Sequence, residues 1–116
     1  MRRLTKRAQF LKAARGAKAL RRGFVLQAAS SLDDEPGLGF TVSRRAGNAV
    51  ERNRIRRRLR AAAGMNAVHF TAGHDYVLIG RRDALHEPFD RLVGGLAAAL
   101  GEIGKKRAEG DNRGRE

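Results

Sequence analysis

Six arginines, at positions 52, 54, 56, 57, 58 and 60, crowd the stretch "GNAVERNRIRRRLR" (residues 47–60), with Asn53 among them and Glu51 just before. Planar guanidinium groups bind phosphate oxygens through paired N–H donors, so this composition suits the capture of a phosphodiester backbone. Wound as a helix, Ile55, Leu59, Ala62 and Ala63 form one narrow apolar stripe. Asn53, Arg57 and Arg60 fall on the opposite face, flanked by Arg54 and Arg56, while Arg52 and Arg58 border the stripe. Like charges one turn apart cost a few tenths of a kcal/mol each, and only Glu51 is at hand to offset them. Stability does not explain that cost; a polyanion lying along the face does. Asn53 adds a neutral amide able to contact a base edge, a sugar or a phosphate.

Other chemistry is poorly served. The chain has no cysteine, which removes disulfides, zinc ribbons and thiol nucleophiles. His69, His74 and His86 lack the tight spacing of metal ligands or of a general base with its orienting partner. Asp33, Asp34 and Glu35 precede Pro36-Gly37 and read as a solvated turn. A two-metal nuclease needs converging carboxylates, and few acids lie outside turns and tail. The residues therefore predict no catalytic group and no metal site in the protein alone.

The elements that must position the arginines follow from periodicity. "TKRAQFLKAAR" (5–15) reads as a short helix with Thr5 as N-cap and Gly16 beyond its end. "FVLQA" is β-prone. The turn "DDEPG" separates it from a half-buried strand in which Leu38, Phe40 and Val42 alternate with small residues, antiparallel to its predecessor. Asn48 caps the arginine helix, which runs to about Met65. "HDYVLIGR" (74–81) is apolar on both sides, as in a strand covered on two faces, so Tyr76 reads as core. A last helix starts near Pro88, with Phe89, Leu92, Val93, Leu96, Leu100 and Ile103 in helical spacing around Gly94 and Gly95. Those glycines either permit close packing on a sheet or weaken the helix. The order α-β-β-β-α-β-α defines an α+β fold with a small, mostly antiparallel sheet and three helices. Residues 1–106 form a single domain, and 107–116 a polar tail expected to be disordered.

Charge supports the same reading. Lys and Arg number 25 against 12 Asp and Glu, a formal +13 in 116 residues. No acid precedes Asp33, so a fold bringing both basic blocks to one side would build a single positive surface. Nucleic acid is the default partner of such a surface, ahead of anionic lipid. A DNA-reading helix would mix more base-reading side chains with its basic ones. The N-terminus runs into charged residues instead of an apolar segment, and no run approaches a membrane helix. A cytoplasmic protein without membrane contact is the expectation. So much unbalanced charge on a small core also predicts marginal folding at low salt unless an anion is bound.

At the arginine helix the sequence resembles the bacterial ribonuclease P protein subunit. "ERNRIRRRLR" matches the arginine-asparagine-arginine motif of that family, and "GFTVSRRAGNAVERNR" its strand-to-helix passage. "LTKRAQFLKAARG", "FVLQA" and "HDYVLIGRR" look like its first helix, following strand and last strand. The resemblance implies a fold like ribosomal protein S5 domain 2, with a left-handed βαβ crossover. It implies a ribonucleoprotein endonuclease that matures tRNA 5′ ends, the cleavage residing in the RNA subunit with its Mg²⁺. The implied partners are that catalytic RNA and precursor tRNA, with no obligate protein partner. Carried onto this chain, the RNA-contacting residues are Arg44, Arg45, Asn48, Arg52, Asn53, Arg54, Arg56, Arg57 and Arg60. Phe10, which alone would be read as core, becomes with Gln27 part of a cleft for the 5′ leader. Ala14 and Gln27 stand where many relatives carry aromatics, so Gln27 offers hydrogen bonds in place of stacking. The alternative is a structural RNA-binding protein of ribosomal type with no role in cleavage.

Overall fold

A computed structural model describes the backbone of residues 1–113 and the side chains of residues 1–106. Of the expected disordered tail, 107–116, the backbone of 107–113 continues the last helix, and 114–116 lie outside the described residues.

Strand β1 (Arg2–Arg3) leads into helix α1 (Arg7–Ala14). Strands β2 (Ala17–Leu20), β3 (Phe24–Ser30) and β4 (Gly37–Val42) follow, then helix α2 (Ala49–Met65). Strand β5 (His74–Gly80) and helix α3 (Phe89–Arg113) complete the order. The sheet runs β1-β4-β5-β3-β2. Its longest ladder is the antiparallel one that pairs Phe24–Ser30 with β5, and β2 joins β3 antiparallel as well. β4 and β5 are parallel, linked by α2 as a βαβ unit, and β1 lies parallel to β4.

Three local expectations need correction. β3 and β4 run in opposite directions, but they are not neighbours, because β5 lies between them. A strand apolar on both sides, such as β5, gains most from a central place where both faces and both edges are covered. The first helix is entered at Lys6 and not Thr5: the Gln9 amide oxygen accepts from the N–H groups of both Thr5 (3.1 Å) and Lys6 (3.0 Å). A fifth strand, β1, was missed because two arginines carry no alternation. The turn acids hold it in place. The terminal ammonium meets Glu35 at 2.9 Å, and Arg2 contacts Asp33 at 3.4 Å and buried Asp75 at 2.5 Å.

The main core lies between the sheet and the pair α2/α3. Phe24, Leu26 and Leu78 from the strands meet Ile55 and Leu59 of α2 and Leu92, Leu96 and Ile103 of α3. Tyr76 belongs to this core: its hydroxyl accepts from Thr71 N–H, and Phe70 packs edge-on at 5.0 Å. On the opposite face α1 is too short to cover the sheet. It closes a small second core of Leu4, Ala13 and Val77, with Phe10 and Ile79 half-buried beside it. Cβ atoms added at Gly94 and Gly95 would meet nothing within 4 Å, so these glycines serve no close packing and only weaken α3.

Candidate RNA-binding surface

The passage into α2 sets the direction of the arginine row. After β4 the chain makes a 3₁₀ turn, Arg44–Ala46, so Arg44 and Arg45 project from a turn and not from the strand itself. Gly47 follows with φ 154°, and a Cβ there would lie 2.7 Å from a Glu51 carboxylate oxygen, so only glycine fits. Asn48 then caps the helix. Its Oδ1 accepts from Glu51 N–H and Glu51 Oε1 accepts from Asn48 N–H, both at 2.9 Å. The other Glu51 oxygen meets Arg82 at 3.1 Å. The Asn48 N–H first, and Arg82 second, hold the Glu51 carboxyl below its ordinary range. The one acid of the helix is therefore engaged by its cap and by a residue after β5, and neutralises none of the arginine row.

Burial on α2 follows the predicted stripe: Ile55, Leu59, Ala62 and Ala63 are buried. The arginines divide by position. Arg58, at the border, donates to the carbonyls of Leu85 (3.1 Å) and Glu87 and joins α2 to the segment before α3. Arg52 donates to Gly47 O at 2.9 Å, keeping its other donors. Arg56 donates to the Asn53 amide oxygen at 3.1 Å. Arg44, Arg45, Arg54 and Arg57 are exposed, and no described residue accepts from or pairs with their guanidinium groups. Arg60 sits over the Phe40 ring, 5.4 Å from its centroid.

Two hollows open beside this row. The first, about 750 Å³, lies at the free edge of β4, where Arg3, Leu4 and Phe10 face Phe40, Arg56 and Arg60. The second, about 450 Å³, lies under α1 between Phe10, Leu11 and Ala14 and the sheet residues Gln27, Val77 and Ile79, with Arg7 at its rim. Phe10 and Phe40 line both hollows, so the two are continuous around the strand edge. Gly39 makes this possible, since a Cβ there would stand 2.7 Å from the Phe10 ring. Gln27 is 6% exposed in a mainly apolar wall that also holds Thr41, and no described residue is hydrogen-bonded to its amide.

Of the predicted residues, Arg56 and Arg60 border the hollow at the strand edge, Phe10 and Gln27 line the groove that continues from it, and the others lie along α2 or in the turn before it. The two basic blocks meet only in part. Arg3 lies beside Arg56 and Arg60 and Arg7 stands at the groove under α1, whereas Arg21 pairs with Glu102 and Arg22 approaches Asp83 and Glu87. Sequence reasoning missed Arg3, Arg7 and Phe40. Phe40 reads as an ordinary strand residue until β5 is seen to leave its edge open.

A small α+β domain that shows a basic helix face, with several exposed guanidinium groups that no described residue pairs, beside an aromatic groove carries the footprint of a nucleic-acid-binding protein. The family model described as Ribonuclease P matches residues 1–104, and the chain belongs to that family. The chain is 49% identical over 113 residues to the ribonuclease P protein component of Paramagnetospirillum magneticum, covering 88% of this chain and 82% of that protein. It is 47% identical over 110 residues to that of Gluconacetobacter diazotrophicus, covering 92% and 95%. The solved Staphylococcus aureus RNase P protein superposes with a TM-score of 0.73 at 29% identity, covering 87% of this chain and 94% of that one. The chain accordingly acts as a protein component of ribonuclease P, in tRNA processing.

Proposed function

We propose that this protein binds the RNA subunit of ribonuclease P along α2 and guides the 5′ leader of precursor tRNA through the groove under α1. The observation carrying this reading is the set of exposed guanidinium groups of Arg44, Arg45, Arg54 and Arg57, which no described residue neutralises. Phosphates are the complementary ligand for a rigid row of such forks. The groove supplies what an unpaired strand needs beside that row: the Phe10 ring for stacking and the Gln27 amide for a base edge.

Cleavage itself belongs to the RNA, with Mg²⁺ held by RNA phosphates, and the setting is the cytoplasm. The protein's contribution is electrostatic. It neutralises phosphates where catalytic RNA and substrate approach one another, and so lowers the Mg²⁺ that their assembly requires. Asn48 serves first as the helix cap, and its amide N–H groups remain available to RNA.

Reconstitution tests this. A bacterial ribonuclease P RNA, a precursor tRNA with its leader and this protein are combined at low Mg²⁺, and each component is also assayed alone. Mature 5′ ends only when all are present are the expected result. RNA binding without any stimulation of cleavage would overturn the role in leader maturation. A precursor trimmed of its leader should lose the binding advantage that the protein gives the full precursor.

A further inference from the structure

The hollow at the edge of β4 has features that the arginine row and the groove under α1 do not explain. β1 covers β4 only at Gly37 and Leu38, and the last rung is Leu4 N–H to Leu38 O at 3.1 Å. Main-chain groups of alternate strand residues turn to the same edge, so Phe40 presents the next N–H and C=O, and no described residue pairs with them. The Phe40 side chain packs against the main core yet stays half-buried, with Arg60 over its ring. Arg3, Arg56 and Arg60 line the hollow and no acid does. Its volume lies within the range of small-ligand sites.

We propose that this hollow is a stacking site for one unpaired RNA base, built on the Phe40 ring around the strand edge from the groove under α1. The idea rests on the RNA-binding reading above and deepens it. The base takes the place of Arg60 over the ring, and Arg60 turns to the adjoining phosphate together with Arg3 or Arg56. The exchange is favourable because an exposed cation–π contact is weaker than base stacking on an aromatic ring. Arg60 keeps the apolar ring covered in the free protein and becomes a phosphate ligand in the complex. Apart from the Thr5 hydroxyl, no side chain in the lining both donates and accepts, so the site has little means of choosing between bases.

Two variants test it. Phe40→Leu keeps the apolar packing against the core but has no π-face; Phe40→Trp keeps the π-face and adds the chain's single tryptophan. The probes are a short unpaired oligoribonucleotide, the same oligomer carrying abasic positions, and an RNA duplex. Phe40→Leu should weaken binding of the unpaired oligomer by about 5- to 100-fold and leave the duplex unaffected. Phe40→Trp should bind the oligomer like the parent, with its fluorescence quenched, and the abasic oligomer should quench it far less. Unchanged oligomer affinity in Phe40→Leu, or unquenched Phe40→Trp with oligomer bound, would overturn the stacking site. Arg57→Ala, run in parallel, separates the two levels. If it weakens both RNAs while Phe40→Leu weakens neither, only the stacking site fails; if no RNA binds the parent protein, the wider reading fails with it.

Discussion

Arg58 and Arg57 are sequence neighbours on α2 with opposite employment. Arg58 reaches back to the carbonyls of Leu85 and Glu87, and Arg82 likewise donates to Ala46 O at 3.1 Å and meets Glu51. Arg2 does the same at the N-terminus, where the hydrogen bond to Asp75 raises its already high pKa further. Arg57, with Arg54, Arg44 and Arg45, reaches only outward. One set of arginines ties the fold together and the other is held ready for phosphate. A residue's type and its neighbours in the chain do not separate the two sets; the location of carbonyls and carboxylates does.

The largest separation should come from Arg58→Ala. It strands two carbonyls in a partly buried junction, which costs about 1–3 kcal/mol. At roughly 4–8 °C per kcal/mol for a domain near this size, the melting temperature should fall by about ten degrees. RNA affinity per folded molecule should stay the same. A loss of RNA affinity equal to that of the outward arginines would erase the distinction.

Arg57→Ala should behave in the reverse manner. Its melting temperature should hold or rise slightly, since a like charge is removed from the row. Plots of log affinity against log salt should become shallower by about 0.7–0.9, with a several-fold loss of affinity near physiological salt. An unchanged slope would mean that Arg57 does not meet a phosphate.

Sulfate offers a smaller but independent test. It should raise the parent's melting temperature above that in chloride at equal ionic strength, because it binds the uncompensated face of the folded state. Arg58→Ala should retain this increment, and a protein lacking Arg54, Arg57 and Arg60 should lose most of it. No increment in the parent would show that the free guanidinium groups do not oppose folding.

The smallest effect concerns pH. The Glu51 carboxyl is lowered from its ordinary 4.5 by the Asn48 N–H and by Arg82. The folded state then binds its proton less tightly than the unfolded one. Its stabilisation is complete above about 4.5 and disappears as pH falls through the lower folded value. Glu51→Gln keeps an acceptor for Asn48 but loses the pair with Arg82. The gap in melting temperature between parent and variant should thus be modest at neutral pH and close in acid.

Much of this was legible in the residues. The apolar stripe of α2 and its Asn48 cap follow from helical periodicity and from the preference of a short amide for free helix N–H groups. The exposure of Arg54 and Arg57 opposite that stripe has the same origin. The position of β4 was not legible. A turn between two strands suggests a hairpin, but pairing is decided by which strand gains most from burial, and β5 takes the centre. Nor could periodicity show that "RR" at the N-terminus forms a strand, since its place depends on acids far away in the chain, at Asp33, Glu35 and Asp75.

Local spacing and composition are enough to define the helices, the buried stripe, the excess of positive charge and hence the kind of partner. Which arginines lack a described partner, the open edge of β4, and the path that Phe10, Phe40 and Gln27 share with α2 emerge only once the chain is folded. Those properties are relations between groups distant in the chain. They arise when β5 separates β3 from β4 and when α1 proves too short to cover the sheet.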